Sequence, residues 1–199
     1  MAVDQQAIVF PGTQFRILQG LYDPLDVADL PAKTVAYGGA WDIDDLGYTK
    51  GGATVQVNRT IQDEYFDQDI DPVIEIVTQR DIRLRSVLGE ATLAHMLDAF
   101  GFGDLDHTDS TDTVHGDDTL FINGLLPPIT DITVGLEAKM RDGMPMRFIG
   151  YRANAVANVS LAFMKNTTVT VPYEARMMND TTVDDGQVLK IQRVLPLEP

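Results

Sequence analysis

Val73-Ile74-Glu75-Ile76-Val77-Thr78-Gln79-Arg80-Asp81-Ile82-Arg83-Leu84-Arg85-Ser86-Val87-Leu88 is the stretch that sets the architecture of this chain. Ile74, Ile76, Ile82, Leu84 and Leu88 share one face of a two-residue period, with Thr78 and Arg80 interrupting it. Glu75, Gln79, Asp81, Arg83 and Arg85 take the opposite face, among Val73, Val77 and Val87. Side chains alternate across a strand in this way and not along a helix. Sixteen residues at ~3.3 Å each span about 50 Å, whereas ordinary strands run to about five or six residues. The stretch predicts an unusually long strand.

The same period extends outward. Val55 and Val57 oppose Thr54, Gln56 and Asn58 from residue 53 onward. Ile132, Val134, Leu136, Ala138 and Met140 alternate with Asp131, Thr133, Glu137, Lys139 and Arg141, and Asp142-Gly143 is a hairpin-turn signal before a return strand from Met144 to about Val156. Val169, Val171, Tyr173, Ala175 and Met177 form a further strand, and Val188 to Leu195 a closing one. One helix is predicted over about 90–101, where Leu93, Met96, Leu97 and Phe100 fall on a single stripe before Gly101. Residues 1–40 read as an N-terminal arm, with short apolar pieces at Ile8-Val9-Phe10 and Phe15-Arg16-Ile17-Leu18 punctuated by Pro11, Pro24 and Pro31. Residues 103–118 read as a mobile, aspartate-rich loop, and 179–199 as a C-terminal arm or closing strand after a β domain over 41–178. The fold class is mainly β: an antiparallel β-sandwich or partial barrel with one flanking helix and extended arms and loops.

Composition narrows the function. The 199 residues hold 30 acidic against 15 basic side chains, a net charge of −15, with aspartate dominating at 24 to 6 glutamates. Such a field repels phosphates and anionic lipids, and this much aspartate favours turns; it also fits a high-salt host. With no cysteine, disulfides, thiolate catalysis and Cys-based zinc sites are excluded. No apolar run is long enough to span a membrane as a helix. The start, Met1-Ala2-Val3-Asp4-Gln5-Gln6, lacks the basic region of a secretory signal, so assembly in a cytoplasm is expected.

No catalytic constellation emerges. Ser86, Ser110 and Ser160 lie outside any G-x-S-x-G context. His107 and His115 sit among Asp104, Asp106, Asp109, Asp112, Asp117 and Asp118, oxygen ligands suited to a hard cation. The EF-hand spacing fails there, because counting from Asp104 puts Asp109 where glycine is needed and His115 where glutamate is needed. That segment, like Asp42-Ile43-Asp44-Asp45 and Asp67-Gln68-Asp69-Ile70-Asp71, reads as solvated. Gly47-Tyr48-Thr49-Lys50-Gly51-Gly52 lacks the Gly-Lys-Ser/Thr order of a phosphate loop and reads as a tight turn entering a strand. The N-x-S/T sequences at Asn58, Asn158, Asn166 and Asn179 are accidents of a threonine-rich chain. Neither enzyme, cofactor nor metal is expected. Arg80, Arg83 and Arg85, interleaved with Glu75 and Asp81, read as a salt-bridge face for self-association and not as a nucleic-acid patch.

Leu46-Gly47-x-Thr49-x-Gly51-Gly52-x-Thr54-Val55, then Asp67-Gln68 and Asp71-Pro72-Val73, then the long alternating strand and Leu88-x-Glu90-Ala91-Thr92-Leu93, resembles in order and spacing the major tail (tail tube) proteins of long-tailed phages. Val169-x-Val171-Pro172-Tyr173-Glu174-Ala175 is similar to the strand near the end of that family. The resemblance covers about residues 40–102 and 131–178; the insert at 103–118 and the segment after Asn179 depart from it. It implies hexameric rings that stack into a hollow virion tail tube, assembled in the host cytoplasm. DNA would pass through without specific binding. Partners would be sister copies, the tape measure and the tail terminator, with no membrane.

The resemblance also implies that about Thr60 to Asp71 reaches toward the neighbouring ring. The expected contact residues are therefore Ile61, Tyr65, Phe66, Asp67 and Asp69 there, and Glu75, Asp81, Arg83 and Arg85 on the long strand. Edge-to-edge closure supports this independently, since a ring leaves no free lateral strand edge. Two other classes fit less well: another virion part (head-to-tail joining or capsid decoration), and a calcium-binding β domain using the acidic segment.

Overall fold

The computed structural model describes residues 15–22, 44–47, 49–64, 74–111, 115–122, 130–139, 144–156, 159–161, 169–182 and 187–193. Among these residues, ten strands and one helix follow one another: β1 (Phe15–Leu21), β2 (Asp44–Asp45), β3 (Thr49–Glu64), β4 (Ile74–Leu88), α1 (Leu93–Phe100), β5 (Asp104–Thr108), β6 (Asp117–Phe121), β7 (Ile132–Lys139), β8 (Pro145–Ala155), β9 (Val171–Met178) and β10 (Leu189–Arg193). Eight of these strands make one antiparallel sheet in the order β2-β1-β7-β8-β9-β4-β3, with β10 paired to β8; β5 and β6 form a separate two-stranded sheet. The chain is mainly β and antiparallel, as expected, and the large sheet stays open instead of closing into a barrel.

β8 is the branch point. Met146 to Gly150 pairs with β10, and Arg152 to Ala155 pairs with β9, while β7 lies along the other edge throughout. The change of partner coincides with a register shift against β7, between the Val134↔Gly150 and Ile132↔Ala153 pairs. An extra residue at such a bulge bends the strand, which is how one sheet turns a corner. Inward-facing Ile17, Ile132, Val134, Leu136, Ala153, Val171, Tyr173, Ala175, Met177, Ile82 and Leu84 then meet in a single core.

The helix caps that core with Ala99, which is fully buried, and Met96. Thr92 is extended and accepts a hydrogen bond from the His95 backbone N–H at 3.1 Å, so the first turn starts at Leu93 and not at Glu90. Gly101 ends the helix at φ 70°, its N–H donating to the Leu97 carbonyl at 2.9 Å. A side chain there would be strained and would also meet the Ala155 Cβ at 2.9 Å. A part-buried relay ties the helix to the sheet: the Tyr173 hydroxyl donates to Gln19 Oε1 at 2.6 Å, and Gln19 Nε2 donates to Asp98 Oδ1 at 2.9 Å. Burial pushes the Tyr173 hydroxyl pKa up, with the Asp98 charge adding to it.

Two expectations are corrected. Phe15–Leu21, expected within an N-terminal arm, is strand β1, in register with β7 from Phe15↔Ala138 to Leu21↔Ile132, with Ile17 in the core. Its paired backbone and buried isoleucine outweigh the flanking proline signals. Residues 1–14 and 23–40 of the expected arm lie outside the described residues, as does the Asp142-Gly143 turn. Within 103–118, the expected loop is partly a hairpin running from Asp104↔Phe121 to Thr108↔Asp117. Leu105 opposite Leu120 supplies a cross-strand apolar pair that the surrounding aspartates conceal in the sequence.

Candidate assembly surface

β3 and β4 pair along almost their full length, but β4 leaves β9 at Ile82. Beyond that point the two strands continue alone as a ribbon to Glu64↔Ile74. Roughly seven residues at ~3.3 Å give it a length of about 23 Å. Every residue of 57–64 and of 74–80 is solvent-exposed. β3 therefore runs further than expected: residues 60–64 are strand, not the start of the loop.

A bulge divides the ribbon into two chemistries. Thr60 opposes Gln79, yet Ile61 opposes Val77, so Thr78 is an extra residue in β4; its hydroxyl donates to the Thr60 carbonyl at 3.3 Å. One extra residue exchanges the faces of everything that follows it. Ile74 and Ile76 accordingly lie on the face opposite to Ile82 and Leu84, which corrects the single face expected from the sequence. Val57, Ile61 and Val77 continue the core-side face, with Arg59 and Arg80 beside them. These five apolar side chains remain 39–58% exposed. A two-stranded ribbon is marginal in water, and this one carries uncovered apolar groups on both sides.

The ribbon's base is held by ion pairs. Arg83 Nε donates to Asp81 Oδ2 at 2.6 Å and its Nη1 to Glu174 Oε1 at 2.7 Å; Arg85 Nη2 donates to the same Glu174 oxygen at 3.1 Å. Arg176 Nε lies 2.9 Å from Asp81 Oδ1, an ion-pair distance outside hydrogen-bond geometry. Partial burial alone would raise the Glu174 carboxyl, but Arg85 and Arg83 outweigh it and hold its pKa below the usual range. Asp81, Arg83 and Arg85, expected at an inter-subunit contact, thus form ion pairs with one another and with β9 within the chain.

Of the other expected contact residues, Ile61 and Glu75 lie on the ribbon, and Tyr65, Phe66, Asp67 and Asp69 fall outside the described residues. Val57, Ile74, Ile76 and Val77 were missed. The signal for them was present in the Thr78-Gln79-Arg80 break within the long strand's apolar face. A second feature adds to the surface: β3 is the last strand of the sheet, and its outer edge has no partner among the described residues. A long free edge of this kind templates pairing with another chain. Its entry is shaped by Gly51 and Gly52, at φ 86° and 98°, where the register shifts between Thr49 and Ala53.

The remaining polar candidates sit elsewhere. Asp44–Asp45 is strand β2 on the far edge of the sheet, where Asp45 Oδ1 accepts from the Gly47 N–H at 3.0 Å. His95 Nδ1 lies 3.1 Å from the Glu90 carbonyl, which can only accept, so Nδ1 carries the proton. His107 bridges Asp118 and Asp109 at the end of the β5–β6 hairpin, lining a shallow open depression with Thr108, Ser110, Gly116 and Asp117. Among the described residues no group of three or more His, Asp or Glu side chains is placed to hold a metal ion, and no helix is long and apolar enough to cross a membrane.

No protein-family model matches the sequence, and no curated protein matches it. Among solved structures, the chain is similar to a chain of the cryo-EM structure of the anti-feeding prophage (AFP) baseplate, 6-fold symmetrised, at a TM-score of 0.45 and 8% identity, over 93% of this chain and 97% of that one. The likeness is loose at that score, and the functional reading rests on this chain's own geometry.

Proposed function

We propose that this chain is a structural protein of a phage-type tail and, more finely, a tail tube subunit whose copies close into rings that stack into a hollow conduit for DNA. The observation that carries the reading is the β3–β4 ribbon, extended beyond the sheet and apolar on both faces. A ribbon of that composition gains its stability by lying between neighbours, so each subunit contributes it to a joint. The free edge of β3 supplies the second joint, and a head-to-tail contact that closes on itself makes a ring. The net charge of −15 suits a channel that must not grip phosphate. The arginines at the ribbon's base add no grip, since Arg83 and Arg85 are engaged by carboxylates of the same chain. Partners in this reading are sister copies, then the tape measure and the tail terminator, within the virion tail.

The lack of cysteine permits a direct test. A Val77→Cys variant carries one thiol on the ribbon, and Thr181→Cys carries one at an exposed turn away from it. Maleimide labelling of the Val77→Cys thiol should slow severalfold as protein concentration rises through assembly, while that of Thr181→Cys stays constant. Equal labelling of both at every concentration, with a monomer in sedimentation, would overturn the proposal. Rings that form but never stack would favour a joining or decoration role instead.

A further inference from the structure

Among the described residues the β5–β6 hairpin has no third strand, so its closure depends on few contacts. Next to its connected end, one pair before Thr108↔Asp117, His107 and Asp118 are directly opposed across the strands. The imidazole Nδ1 lies 2.6 Å from Asp118 Oδ1, and Nε2 lies 3.0 Å from Asp109 Oδ1. Carboxylates only accept hydrogen bonds, and a neutral imidazole donates from one nitrogen alone. Both contacts can be hydrogen bonds only when the ring is an imidazolium. We propose that His107 is a proton-operated clasp on the hairpin, closed while the ring carries its charge and released when it does not.

The surroundings make the release consequential. Asp118 on β6 and Asp109 beyond β5 contact the ring, Asp106 on β5 acts on it through its charge, Asp117 lines the same depression, and His115 precedes Gly116 on the connecting segment. Helix α1, which packs on both strands, brings His95 and Asp98, committed to the Glu90 carbonyl and to Gln19. Once the ring is neutral, one lone pair faces a carboxylate and the aspartates repel one another without an intervening cation. The connection is also tight: a Cβ on Gly116 would collide with the Thr108 carbonyl oxygen. The hydrogen bonds that Asp118 and then Asp109 accept raise the His107 pKa above its ordinary value. The clasp is therefore fully closed below the ordinary histidine range and lost as pH rises through the raised value.

This inference is independent of tube assembly and is tested on the full chain by NMR. The His107 ring should show both nitrogens protonated on the acid side of its titration. Amide protection factors over 104–108 and 117–121 should fall severalfold as it titrates. Asp109→Asn with Asp118→Asn should move the His107 midpoint to lower pH, and His107→Lys, a permanent cation, should remove the pH dependence of protection. Unchanged protection across the His107 titration, or an unmoved midpoint in the double variant, would overturn the clasp; should the double variant fail to fold, the wild-type protection profile decides alone.

Discussion

Replacing Val57, Ile61 and Val77 together by threonine removes the apolar character of one ribbon face while keeping β-branched side chains that suit a strand. Fully burying a valine or isoleucine stabilises by about 1.5–3 kcal/mol. These three are still 58%, 39% and 55% exposed, so about half of that gain is left for association. The loss is then about 0.7–1.5 kcal/mol per residue and about 2–4 kcal/mol per ribbon face, a weakening of roughly 30- to 700-fold in the dissociation constant. Hydroxyls forced into a dry contact would add to it. The monomer should barely notice, because exposed substitutions of this kind change folding stability by about 0.5 kcal/mol or less. Sedimentation velocity over a concentration series reads the first quantity and urea unfolding under dissociating conditions the second. A triple variant that assembles like the wild type refutes the reasoning, as does one that loses folding stability as a core variant would.

Tyr173→Phe leaves Gln19 Oε1 without its donor, which should cost about 1–3 kcal/mol and lower Tm by several degrees in a thermal melt. Gly101→Ala should cost about 1–2 kcal/mol from the left-handed backbone alone, more with the Ala155 contact, and is read by the same melt. Glu174 contributes stability that is present above the ordinary carboxylate range and lost as pH falls through its depressed pKa. Glu174→Gln should therefore be less stable near neutrality, with a shallower acid limb in urea midpoints measured against pH.

Much of the fold was legible in the sequence because a two-residue period survives wherever one strand face is buried. Ile82, Leu84 and Leu88, the β7 alternation and the β9 alternation all lie where that period puts them. Thr92 and Gly101 bracket the helix through local backbone chemistry that needs no tertiary context. The bulge at Thr78 was not legible as such, because an alternating pattern reads the same on either side of a one-residue slip. β1 was obscured by its short length and flanking prolines, and β5–β6 by aspartates that mimic a loop. The ion pairs at the ribbon's base depend on β9 lying beside β4, a neighbour 90 residues away along the chain that no local pattern announces. Hence Ile61 and Glu75 lie on the candidate surface, whereas Asp81, Arg83 and Arg85 lie at its base in ion pairs within the chain.

Negative-stain electron microscopy of the purified full chain, concentrated over a range of salt, tests the central claim most directly. The account predicts rings of uniform diameter and hollow stacks of them, weakened by threonine at Val57, Ile61 and Val77. Isolated monomers at every concentration and salt would contradict it.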